Sequence, residues 1–79
     1  MFQLLTNSNK LHTTFLGEER IKENLGIKDN VIEYCKNKIL DKNCLIAKVG
    51  KNYYCEIDDL IITINASSYT IITVHKKTN

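Results

Sequence analysis

Leu60-Ile61-Ile62-Thr63-Ile64-Asn65-Ala66-Ser67-Ser68-Tyr69-Thr70-Ile71-Ile72-Thr73-Val74-His75-Lys76 reads as two β-strands joined by a short polar turn. β-Branched and aromatic residues fill both arms, and Ala66-Ser67-Ser68 separates them with small turn formers. Setting Asn65 opposite Tyr69 pairs Ile64 with Thr70, Ile62 with Ile72 and Leu60 with Val74. Side chains alternate between the faces of a strand, so this register gives the hairpin one apolar face. The other face would carry Ile61, Thr63, Asn65, Tyr69, Ile71, Thr73 and His75. Most of these side chains donate, accept or transfer protons.

Upstream, 45–49 and 53–57 supply two more strands. Gly50-Lys51-Asn52 and Asp58-Asp59 have the length of hairpin turns, so the four strands are expected to form an antiparallel meander. Ile57 opposite Leu60 aligns Cys55 with Ile62 and Tyr53 with Ile64. A three-residue loop after Val49 sets Val49 beside Tyr53, Ala47 beside Cys55 and Leu45 beside Ile57. All four strands then turn an apolar row to one side, and Tyr54 and Glu56 join the polar side.

Two amphipathic helices precede the strands. Thr13 or Thr14 can cap the first, with Glu18 and Glu19 near its positive end and Gly26 closing it. Gly17, Ile21 and Leu25 form its apolar stripe, flanked by Leu16. The second starts after Asp29 or Asn30 and runs to about residue 41. It turns Val31, Ile32, Tyr34, Cys35 and Ile39 to one side, and Asn43 is expected as the left-handed residue beyond it. Both stripes need cover, as does the sheet. The expected fold is α+β, with two N-terminal helices packed on one face of a four-stranded antiparallel sheet. One domain over 1–79 is expected, with 1–10 as an edge strand or a loose N-terminal arm.

Composition sets the outer limits. The 79 residues are 43% apolar and 25% charged, with no Pro, three Gly and a net charge of +2. That balance fits a folded domain and gives no concentrated field for nucleic acid. No apolar run approaches the ~20 residues of a membrane span, so no membrane partner is expected. Cys35, Cys44 and Cys55 are odd in number and form no CxxC pair, and the two histidines lie far apart. A metal site is not expected, nor is a cofactor. With no signal-peptide pattern, a reducing cytoplasm is the expected compartment, and the cysteines read as core residues.

Candidate chemistry concentrates on the outer sheet face and before the first helix. In the expected register Asp59 falls across from His75, where a carboxylate would hold one imidazole tautomer for acid–base work. Thr63 and Thr73 are better explained as β-formers, whereas His75 near a strand end is equally well explained either way. Ile61 and Ile71 on an open face suggest a contacted surface. His12-Thr13-Thr14 lies where free helix amides can meet an anion, although His12 also reads simply as a loop histidine. Lys51 sits in a turn. No Walker loop, Rossmann glycines, GxSxG or HExxH occurs.

Leu11-His12-Thr13-Thr14, Gly17, Arg20-Ile21, Asn24-Leu25, Gly50-Lys51-Asn52-Tyr53-Tyr54, Ile62 to Ala66 and Ser68 to Lys76 together resemble a family of short bacterial proteins, found mainly in Gram-positive bacteria. It is domain-of-unknown-function family 3781. That family usually shows Trp-Tyr where this chain has Tyr53-Tyr54, and the resemblance implies no activity. At the level of fold, helices followed by a four-stranded meander are similar to small ribonucleases of the barnase, colicin and RelE toxin group. The analogy implies His12 or His75 for proton transfer and Arg20, Lys51 and Lys76 for the phosphate. Ser68 and Thr70 would donate hydrogen bonds, and Thr13, Thr14, Asp59, Asn65, Tyr69 and Thr73 would support them. Thr70 falls on the helix-covered face in this register, against that role.

Two functions follow as expectations. One is a metal-independent ribonuclease of toxin type that cleaves RNA by 2′-hydroxyl attack. The other is a binding module of a phage or mobile element that blocks a host protein, or captures an anionic ligand, through the open sheet face. Expected partners are RNA or a host or antitoxin protein. A homodimer through the open face is a further option.

Overall fold

The computed structural model describes residues 3–28 and 30–77. In chain order it contains α1 (Gln3–Thr6), a 3-10 turn (Ser8–Lys10), α2 (Phe15–Leu25), α3 (Val31–Leu40), β1 (Leu45–Val49), β2 (Asn52–Ile57), β3 (Leu60–Asn65) and β4 (Ile71–Lys76). The strands form one antiparallel sheet in the order β1-β2-β3-β4, and α2 and α3 cover one face of it. This is the α+β arrangement expected from the alternating apolar rows.

The helices end where their caps dictate. Thr14 is the N-cap of α2, accepting from Gly17 N at 3.0 Å, and Gly26 closes the helix at φ 69°. Asn30, at φ 47°, precedes α3 without a side-chain cap bond, and Asp29 lies outside the described residues. Asn43 is not left-handed. Asp41 Oδ1 accepts its amide at 2.8 Å and turns the chain into β1 instead. Leu16 also departs from expectation, being 69% exposed. Residues 3–10, expected as a strand or arm, coil into α1 and the 3-10 turn, and Leu4 is fully buried.

Between the layers lie Leu4, Leu11, Ile21, Val31, Cys35, Ile39, Tyr53, Cys55, Ile62, Ile64, Ile71 and Val74. Each large aliphatic side chain removed from water there contributes about 1.5–3 kcal/mol.

Pairing of β2 with β3 follows the expected register, with Cys55 opposite Ile62 and Tyr53 opposite Ile64. Positive φ at Asp58 (52°) and Asp59 (62°) makes the two-residue type I′ turn that twisted strands prefer. The other two registers differ from expectation. The first hairpin closes on two residues, Gly50 and Lys51, with Gly50 at φ 61°. Val49 therefore faces Asn52, and Ala47 faces Tyr54. That shift of one residue moves Leu45, Ala47 and Val49 from the helix side to the open side.

In the last hairpin Asn65 does not pair with Tyr69. Asn65 N donates to Thr70 O, Tyr69 N donates to Asn65 O, and Tyr69 is left-handed at φ 59°. Ile64 then pairs with Ile71 and Thr63 with Thr73, so Ile72 is the extra residue of a β-bulge. The bulge turns Ile71 into the core (1% exposed) and pushes Ile72 out (47%). The expected open-face positions of Ile71 and Tyr69 are corrected accordingly, since Tyr69 packs against the core.

Candidate functional site

The expected site residues fall at opposite ends of the sheet. His75 pairs with Ile61, and Asp59 lies across from Lys77, whose amide donates to Asp59 O at 2.6 Å. The proposed Asp59–His75 pair is therefore absent, displaced by the slipped register. Lys76 is exposed opposite Leu60 at this same end. His12 instead bridges to Thr70, donating its amide to Tyr69 O and accepting Ile71 N through its own carbonyl. Thr70 and His75 stand about 16 Å apart along the strand, so the two imidazoles do not share one phosphate.

Around His12 a chain of short contacts forms. His12 Nδ1 is 3.0 Å from Lys10 O, an acceptor only, so Nδ1 carries the proton and donates. In the neutral ring Nε2 then accepts from Thr70 Oγ1 at 3.0 Å. Ser68 Oγ lies 2.7 Å from Thr70 Oγ1 and 3.2 Å from Asn65 Oδ1, and its single proton serves one of them at a time. A hydroxyl, an imidazole and an orienting carbonyl in series resemble the start of a nucleophilic relay. Thr70 is thus brought to His12, contrary to its expected place under the helices.

What the relay lacks is a cradle for charge. Asn65 Oδ1 accepts the amides of Ser67 and Ser68, each at 3.0 Å. Ala66 N donates to Lys51 O at 2.8 Å, and Tyr69 N donates to Asn65 O. Each of these four loop amides is already bonded to an oxygen of the protein, so none of them points at an oxyanion or phosphate. Lys51 joins this end through its carbonyl, with an exposed side chain. Arg20 is exposed on α2, and among the described residues its side chain makes no hydrogen bond or ion pair. Among the described residues no three His, Cys, Asp or Glu side chains gather to hold a metal ion. Thr13 and Thr14 serve the backbone, Thr13 Oγ1 donating to Ile71 O at 2.9 Å and Thr14 capping α2.

The open sheet face has a different character from the one expected. Its rows run Leu45, Glu56, Ile61, His75 and then Ala47, Tyr54, Thr63, Thr73, with Val49, Asn52 and Asn65 beyond. Leu45 is 69% and Val49 62% exposed. A cavity of about 310 Å³ opens between Leu45, Ile46, Ala47, Tyr54, Glu56 and Ile61. Thr63 is buried between its cross-strand neighbours, and Glu56 is held by Lys77 at 2.6 Å. Leu45, Ala47 and Val49 were missed as surface residues. Glycine's preference for the first position of a two-residue hairpin was the signal that would have found them.

A family model described as "Protein of unknown function (DUF3781)" matches residues 5–75. No curated protein and no solved structure shows significant similarity to the chain, so the ribonuclease analogy gains no support. Among the described residues no helix is long and apolar enough to cross a membrane.

Proposed function

The chain belongs to the DUF3781 family, and from that premise we propose that it is a non-catalytic binding module that docks a protein partner on its open sheet face. The observation that carries this reading is the apolar cavity ringed by Leu45, Ala47, Tyr54 and Ile61 on the face turned away from α2 and α3. Exposed apolar ground of this kind marks an interface. The paired rows hold no Lys or Arg, and Lys77, whose ammonium reaches this face, is tied to Glu56 at 2.6 Å, so the face offers little of the positive charge that a nucleic-acid ligand would require. The partner is therefore a host or antitoxin protein presenting an apolar side chain rather than RNA. Separation of His12 from His75 and the spent loop amides weigh against 2′-hydroxyl attack, which needs a base, an acid and donors around one phosphate.

Tagged wild-type protein and Ile61→Asp, carried in parallel through bacterial lysate, test the reading. The retained protein is then purified and titrated calorimetrically against both. The expected result is binding at least ten-fold weaker for Ile61→Asp and unchanged for His12→Ala. Equal affinity for wild type and Ile61→Asp would remove the open face as the docking surface. Cleavage of labelled RNA in EDTA that is lost in His12→Ala would restore the ribonuclease reading in its place.

A further inference from the structure

The two margins of the sheet are unlike. Along β4, His12 bridges to Thr70, Thr13 Oγ1 donates to Ile71 O, and Asn24 Nδ2 donates to Val74 O at 3.0 Å. Side chains and backbone from the segment around α2 thus occupy that margin. Among the described residues nothing comparable lies along β1. It is a margin strand with four of its five residues exposed, and of the usual guards of a free strand it carries neither Pro nor a bulge but only the single charge of Lys48.

Its hydrogen-bonding geometry follows from the turn. In a two-residue hairpin the flanking residues, Val49 and Asn52, form a hydrogen-bonded pair, and such pairs then alternate. Leu45, Ala47 and Val49 therefore spend their amides and carbonyls on β2. Ile46 and Lys48 turn theirs outward.

We propose that a second copy of this chain pairs with β1 antiparallel, about a two-fold axis at Ala47. The inference rests on reading the open face and its margin as an interface, and it names the occupant of the margin. In this register Ile46 meets the partner's Lys48, and each such pair exchanges two backbone bonds between groups that already point outward. Ala47 meets its own counterpart in a non-hydrogen-bonded pair, where Cα atoms approach to about 4.5 Å and two methyl groups meet without a clash. On the open face Leu45 lies against the partner's Val49. In the single chain these two side chains are 69% and 62% exposed. On the helix side the Lys48 stem lies along the partner's Ile46, with its ammonium in water. Centring the axis on Lys48 would oppose two lysines, and centring it on Ile46 would leave Val49 without an apolar mate. The strand is self-complementary in one register only.

An interface of this size sits at the low end for specific pairs, so sedimentation velocity should run from ~10 µM to ~1 mM. Wild-type protein is expected to shift from monomer to dimer across that range. Ala47→Glu and Ala47→Lys each set like charges opposite each other across the axis. Each alone is expected to associate at least ten-fold more weakly, with an unchanged circular dichroism spectrum. An equimolar mixture of the two is expected to recover dimer. A wild-type monomer at ~1 mM would overturn the proposal, as would a dimer indifferent to both substitutions. If a foreign partner is still lost on Ile61→Asp, the docking face stands and only its second-copy occupant falls.

Discussion

A Cβ at Gly17 would stand 2.6 Å from the Thr13 hydroxyl oxygen, and that oxygen is engaged with the Ile71 carbonyl at 2.9 Å. Alanine normally gains about 1 kcal/mol over glycine inside a helix. Here it would displace Thr13, and losing this partly buried bond while stranding its acceptor costs about 1–3 kcal/mol. Gly17→Ala should therefore destabilise the protein by roughly 1 kcal/mol by urea unfolding. In a Thr13→Ala background the clash disappears, and the same change should become neutral or stabilising. A loss of equal size in both backgrounds would refute the coupling. Asp59 offers the opposite case, because its φ of 62° suits glycine better than a residue with a Cβ. Asp59→Gly should raise stability by about 0.5–1 kcal/mol, visible as a higher Tm. Its main-chain carbonyl, which holds Lys77, remains in place.

Among the elements, β4 depends on side chains from α2 as well as on β3. Asn24 Nδ2 reaches Val74 O, and Asn24→Ala should cost about 1 kcal/mol. It should also speed amide exchange in β4 more than in β2, and uniform exchange would count against the seal. Exposed ion pairs such as Lys38–Asp58 contribute far less. Legibility from sequence followed turn chemistry, element by element. The β2–β3 register could be read because Asp58-Asp59 leaves only one turn of the right length. The β1–β2 register slipped by one because Asn52 reads as a turn residue yet lies in the strand, opposite Asn65. The last hairpin was illegible for a firmer reason. A left-handed Tyr69 is disfavoured for a bulky side chain, and it persists because Asn65 collects the loop amides and Asn7 Nδ2 donates to the Tyr69 hydroxyl at 3.2 Å. The His12–Thr70 bridge spans most of the chain and leaves no local pattern, so the expected site scattered to both ends of the sheet.

For the molecule as a whole, burial of thiols ties stability to pH. Burial pushes Cys35 and Cys55 up from 9.0 to about 12. A thiol whose pKa is raised on folding stabilises the native state fully below its unfolded pKa. That contribution fades as pH climbs from about 9 towards 12, because the unfolded chain releases its protons first. Unfolding free energy should fall by up to about 1.4 kcal/mol per pH unit for each thiol over that window. Burial raises the Cys44 thiol as well, so Cys35→Ala should lessen the slope without abolishing it, and an unchanged slope would place the titration elsewhere. Below pH 8 both thiols should resist alkylation in the native protein. The unequal margins of the sheet carry a last consequence at this scale. Strand-by-strand growth needs two free borders, and with Thr13, Asn24 and His12 standing along β4 only one is available. Were a second copy to add at β1, as proposed above, that border would be used up, and assembly would stop at a closed pair rather than run on into fibrils.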